Sequence, residues 1–292
     1  MKKYILTTAI IFSFVLSWSC SNDEDIDKNN SIFVDSPVEQ TEFDKWLLDN
    51  MVYPYNIKVQ YKYKDIEAGS SYTLAPPSVE MGKKLTKLLK FLWLDAYEEV
   101  GDVDFVRKTA PKVIQLIGSP AYNPDGTATA GTAEGGVKIT LYNVNGFVDD
   151  PVSLNDKYFG VIQHEYTHIV NQLKDYDPGY GLISEGDYKS GDWTKLSEKD
   201  ALDAGFITSY SSKNPGEDFA EVVSKYLTKG KDWWNGKLNQ ASADGKAKLE
   251  EKLGIVIDYY KSAWNIDFNE LYEVVQRRSQ EVQYIDIDNL YP

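Results

Sequence analysis

The chain contains two histidines, and both stand in one pentapeptide, His164-Glu165-Tyr166-Thr167-His168. Residues four apart lie one above the other on an α-helix, so both imidazoles can turn toward a single ion while Glu165 projects beside them. Imidazole suits zinc, and a carboxylate next to two such ligands can serve as general base toward a water in the ion's open position. The simpler alternative is a pair of surface histidines on a polar helix face. The Glu at the required offset, and the lack of His elsewhere, favour the metal.

A catalytic zinc takes three protein ligands plus water. No further His remains, Cys20 is the lone Cys, and Lys174 stands where a metzincin would carry its third His. A carboxylate is left, either Glu185 in LISEGDYKSGDW or Glu217 in NPGEDFAEVVSKYL. Asn214 reads as an N-cap and Pro215 as the first helical residue, which puts Glu217 in the first turn of a helix. Phe219, Val223, Tyr226 and Leu227 would bury one side of that helix, with Glu217, Glu221 and Ser224 along another. The same stretch is also a capping box, in which Glu217 would bond back to the Asn214 backbone. Glu221 is a candidate for orienting a ligand from behind, and Asp218 is an alternative.

The elements that must position these groups follow from periodicity. Ser153 with Asp156 predicts the start of the His-bearing helix, whose stripe Ile162, Tyr166, Ile169 and Leu173 would face a core, and Asp177-Pro178-Gly179 its end. Upstream, Phe43, Trp46, Leu47 and Met51 repeat at helical spacing, and Asn56 to Lys64 alternates as a half-buried strand with Ile57, Val59, Tyr61 and Tyr63 inward. Ser78 opens a long helix with Leu85, Leu88, Leu89, Leu92 and Tyr97 inward. Val113 to Gly118 and Val137 to Asn145 read as strands, and Ser119 to Gly136 as a long mobile loop. Helices are predicted over 215–228, 243–263 and 267–284. Strands followed by helices argue an α+β fold, a small mixed sheet and then a mostly helical C-terminal half.

Composition bounds the rest. The 292 residues are 42% hydrophobic and 13% aromatic, enough for a sizeable core, and a formal charge of −14 repels nucleic acid. One Cys excludes an intrachain disulfide framework. Lys2 and Lys3 precede an uncharged, mostly apolar run, Tyr4 to Trp18, too short to span a bilayer, so residues 1–19 read as a secretory signal. The sequence around Cys20 resembles a bacterial lipoprotein signal, although Trp18 is bulky where such signals prefer small residues. The resemblance implies a lipidated Cys20; the acidic, aperiodic stretch after it makes 20–38 the Cys and its tether, and with no repeat or second linker beyond, 39–292 read as one folded domain. The acidic run after Cys20 resembles the surface-export signals of Bacteroidetes lipoproteins, and Ser21 resembles an outer-membrane sorting residue.

HEYTHIVNQ followed by SYSSKNPGEDFAEVVSKYL resembles the zinc-binding metallopeptidases of Bacteroidetes, lipoproteins associated with SusC/SusD-type TonB-dependent import. More distantly, the Glu-x-x-Ala-Glu arrangement is similar to anthrax lethal factor and other Glu-zincins. The resemblance implies a zincin-like metallopeptidase fold, one zinc per chain held by His164, His168 and Glu217, Glu165 as general base, and a peptide or protein substrate. It also implies that Tyr210, seven residues before Glu217, assists catalysis. As in zincins, the strand Val137 to Asn145 would be the edge strand that pairs with substrate. A different class remains as the alternative, an inactive zinc-containing lipoprotein that binds ligands for a nutrient importer, with Trp193, Trp233 and Trp234 as a platform.

Overall fold

The computed structural model describes residues 39–62, 72–123, 126, 128–148 and 150–291. The readings at Cys20, the signal, the tether, Tyr63 and Lys64 lie outside them. Residues from Gln40 onward form one unit.

Helix α1 (Glu42–Leu47), capped by a Thr41–Asp44 capping box, runs through a π-turn into strand β1 (Lys58–Gln60). Ser78 caps α2 (Val79–Leu89), which continues through a second π-turn into α3 (Asp95–Gly101), and α4 (Val103–Thr109) follows. Strand β2 (Val113–Leu116) is followed by a two-stranded hairpin, β3 (Ala121–Tyr122) and β4 (Ala128–Thr129), then β5 (Gly131–Glu134) and β6 (Lys138–Leu141).

The larger sheet has the order β1-β2-β6-β5. Val59 pairs with Ile114 and Ile114 with Ile139 in parallel register, while β5 runs antiparallel to β6. Two expectations are corrected here. Residues 119–136 carry three short strands rather than a loop, because β5 takes its backbone partners from β6. The strand within Val137 to Asn145 is paired on both sides, and the edge beside it is β5. Gly131 makes that edge possible: a Cβ there would lie 2.5 Å from the Val161 side chain of the neighbouring helix.

Asp150, not Ser153, caps the helical run that carries the histidines, accepting from the Ser153 N–H at 2.8 Å. The run comprises α5 (Pro151–Leu154), a π-turn over Asn155–Phe159 and α6 (Gly160–Leu173). Ile162, Tyr166 and Ile169 are buried as predicted. Leu173, in the last turn, is exposed, and Val170 fills the core beside Ile169. Tyr166 sits edge-on to Trp93 and Tyr97, so the middle of the pentapeptide belongs to the core.

Helices α7 (Gly179–Leu182) and α8 (Glu198–Asp203) lead to α9 (Pro215–Gln240), which breaks at Gly230, where φ is +85°. Then come α10 (Ala243–Trp264) and α11 (Phe268–Glu281). Phe219, Val223, Tyr226 and Leu227 bury one side of α9. Ser224 Oγ donates to the Gly160 carbonyl at 2.6 Å, so α9 and α6 touch where a side chain at 160 would meet the Asn155 carbonyl. That close approach brings the first turns of α9 against the His-bearing face of α6. The result is α+β, predominantly helical, with a small mixed sheet.

Candidate metal centre

His164, His168 and Glu217 converge. Glu217 Oε2 lies 2.9 Å from His164 Nε2 and 3.2 Å from His168 Nε2, and the two Nε2 atoms are 3.2 Å apart. Tetrahedral zinc with bonds of about 2.0–2.1 Å places its ligand atoms roughly 3.3 Å from one another. The triangle fits that spacing.

The chemistry of the donors points the same way. His164 Nδ1 donates to Glu221 Oε1 at 3.0 Å, because a carboxylate can only accept. In the neutral imidazole Nε2 is then a lone pair facing a carboxylate oxygen, an arrangement that needs a cation between them. Without a metal that cation is a proton: burial pushes the His164 imidazole down, but Glu217 and Glu221 more than offset this and hold it up at about 9. Despite the burial penalty, the imidazoles and Lys213 hold the Glu217 carboxyl well below the usual range.

Local sequence explains why Glu217 is free to reach the histidines. Asn214 Oδ1 caps the helix by accepting from the Glu217 N–H at 3.0 Å, so half of the capping box forms. The Glu217 carboxylate turns away from the Asn214 backbone. Its second oxygen accepts from Lys213 Nζ at 2.6 Å. Glu185 is exposed and stands outside the cluster.

Of the two candidates behind the ligands, Glu221 is the one in place. Besides His164, it accepts from Thr208 Oγ1 at 2.8 Å, and despite burial its carboxyl is held down at about 2. Asp218 points elsewhere, into a fully buried ion pair with Lys252 Nζ at 2.6 Å.

A cleft of about 640 Å³ opens on this centre, lined by His164, Glu165, Trp193, Tyr210, Lys213 and residues of the β4–β5 segment. Burial, with a smaller push from Glu217, raises the Glu165 carboxyl, against the two imidazoles and a backbone hydrogen bond from Ala133 on β5. Tyr210 has its ring centroid 5.8 Å from that of His164 and packs edge-on to Trp193 at 4.9 Å. Burial pushes its phenol up to about 12, although Lys213 Nζ donates to its oxygen at 3.1 Å.

A family model described as "Putative zinc-binding metallo-peptidase" matches residues 36–269. The chain belongs to that family. It is also similar to a crystal structure of the same description from Bacteroides caccae, at 41% identity and a TM-score of 0.77, over 89% of this chain and 100% of that one. A search of curated proteins finds no match.

The family is described as zinc-binding, and in this chain His164, His168 and Glu217 lie close enough together to hold a metal. Sequence reasoning missed Lys213, Thr208 and Ala133. Lys213 carried a usable signal, since it stands four residues before Glu217. Thr208 and Ala133 carried none, because only tertiary contacts bring them to the site. Of the three Trp considered as a ligand platform, Trp193 lines the cleft, while Trp234 is buried in the core and Trp233 packs against it.

Proposed function

We propose that this protein is a zinc-dependent peptidase of the Glu-zincin type, with His164, His168 and Glu217 as ligands and Glu165 as general base. The observation that carries the reading is the His164–His168–Glu217 triangle opening on a cleft that Glu165 shares. An antiparallel edge strand beside the metal helix supports a zincin-like fold.

Bound to the triangle, zinc would act as a Lewis acid and bring the pKa of a water in its open position toward ~7. Glu165, made more basic by burial, takes the proton of the water that attacks the scissile carbonyl carbon. It then delivers that proton to the amine nitrogen as the C–N bond breaks. Tyr210 stays protonated at neutral pH, so its O–H can donate to the oxygen on which charge develops. Lys213, donating to the Tyr210 oxygen, keeps the phenol oriented and makes it a better donor. Glu221 fixes the tautomer and orientation of His164.

The same reading extends to the N-terminus, as a surface-exposed outer-membrane lipoprotein anchored through Cys20. Palmitate labelling of the wild type, absent in Cys20→Ala, is the expected result for the anchor. For the activity, Glu165→Gln should keep one zinc per chain and lose peptide hydrolysis by at least ~100-fold. A hydroxamate should bind the zinc-loaded wild type. Undiminished turnover in Glu165→Gln removes it from the mechanism, and failure of hydroxamate to bind makes the zinc structural.

A further inference from the structure

Lys213, Glu217, Glu221 and Lys225 follow one another at intervals of four residues, in the order plus, minus, minus, plus. Lys213 reaches the row from its N-terminal end and donates to Glu217 and to Tyr210. Lys225 stands at the other end, where its Nζ is 3.6 Å from Glu221 Oε2. That distance is an ion pair but too long for a hydrogen bond. Glu221 is already engaged by His164 and Thr208. Among the described residues, no acceptor lies within hydrogen-bonding distance of the Lys225 ammonium. It lines the cleft with its side chain a quarter exposed.

With a divalent ion in the triangle, the charge of the cleft would differ in sign from that of the chain. The chain carries −14. Inside the cleft, Lys213 and Lys225 balance the Glu165 and Glu221 carboxylates. A divalent ion against the single charge of Glu217 would then make the cleft net positive. Neutral residues, Asn123, Thr129 and Gly160 among them, make up much of the remaining wall. An ammonium with unfilled donors in such a wall is a seat for an anion, and a peptide carries its anions as carboxylates.

We propose that Lys225 is a specificity-determining residue that binds a substrate carboxylate, selecting peptides with an acidic side chain or a free C-terminus close to the scissile bond. The proposal rests on the peptidase reading for its substrate class. Lys213 is committed to Glu217 and Tyr210, which leaves Lys225 as the group that reads the substrate.

The test uses zinc-loaded protein and peptides in matched pairs. One set replaces Glu by Gln at successive positions with both ends blocked; the other compares a free C-terminal acid with its amide. Affinity is measured by calorimetry in the Glu165→Gln background, and kcat/KM in the wild type. A preference of about tenfold for one acidic member of a pair is expected, falling to parity in Lys225→Gln and reversing in Lys225→Glu. Preference in the Glu set assigns a side-chain carboxylate, and preference in the acid–amide set a chain terminus. If no pair shows a preference, or if Lys225→Gln keeps it, the proposal is overturned. A Lys225 that only neutralised Glu221 would change zinc affinity and leave the acid-to-neutral ratio untouched, which also overturns it. Binding preference without hydrolysis would sink the peptidase reading and leave Lys225 as the carboxylate seat.

Discussion

His164 Nδ1 donates to Glu221 Oε1 at 3.0 Å, and the two residues sit on different helices that meet at Gly160 and Ser224. The carboxylate settles which imidazole nitrogen keeps its proton and leaves Nε2 for the metal. Because Thr208 donates to the other Glu221 oxygen, the carboxylate is itself held in place. Glu221→Ala should weaken zinc binding by about 10- to 100-fold, while Glu221→Gln, which retains an acceptor, should lose less. Competition against a chelator of known affinity measures both. Equal affinity in all three proteins would remove Glu221 from the centre.

Proton and metal compete for the same lone pair. In the metal-free protein His164 is held up at about 9, above its ordinary value of 6.5. This raised value adds stability that is fully present below pH 6.5 and is lost as pH rises through 9. The sign for zinc is opposite: below pH 9 the proton must leave, so apparent affinity falls about tenfold for each unit of acidification. Calorimetry at pH 7.5 in buffers of different ionisation enthalpy should report about one proton released per zinc bound. Zinc uptake that releases none would show that His164 is already neutral.

The histidine pair was legible because its geometry is local: helical spacing alone puts two rings on one face. Glu217 lies 53 residues from His164, and no periodicity reports such a contact. What could be read was that Asn214 and Pro215 start a helix there, with one turn's carboxylate free to point away. The helices were legible for the same local reasons, their caps at Ser78 and Asn214 included. The edge strand was not. Gly131 to Glu134 is made of Gly, Thr, Ala and Glu, poor in β-branched and aromatic residues, and becomes a strand only because β6 supplies its partners. The exposure of Leu173 has a similar origin, since the stripe outruns the surface it packs on.

Tyr210 packs on Trp193 and accepts from Lys213, but it also neighbours the His164 ring and Glu217, so zinc content and turnover have to be read separately in any variant. Tyr210→Phe should retain the zinc and bind a hydroxamate with little change. Its kcat should fall about 10- to 100-fold with KM nearly constant, as expected for a donor used chiefly when the oxyanion forms. A fall confined to KM would make Tyr210 a binding residue.

The Lys252–Asp218 pair offers a test of what holds the cleft together. Lys252 Nζ donates to Asp218 Oδ2, to Ser184 Oγ and to the Gly205 carbonyl, and both ionic side chains are 0% exposed. One ammonium thus joins the start and end of the 184–205 segment, which carries Trp193, to the residue next to Glu217. Removing one partner leaves a buried charge uncompensated. Asp218→Asn and Lys252→Met should each therefore cost about 3–5 kcal/mol of unfolding free energy, read by urea denaturation of the zinc-free protein. The double variant Asp218→Leu/Lys252→Met should regain part of that loss: it removes both buried charges, but leaves the Tyr188 hydroxyl and the Gly205 carbonyl without these partners. Its zinc affinity should follow the wild type if Asn214 and Pro215 are enough to aim Glu217. A double variant that is fully stable but binds zinc weakly would show that the buried pair also sets the position of the ligand.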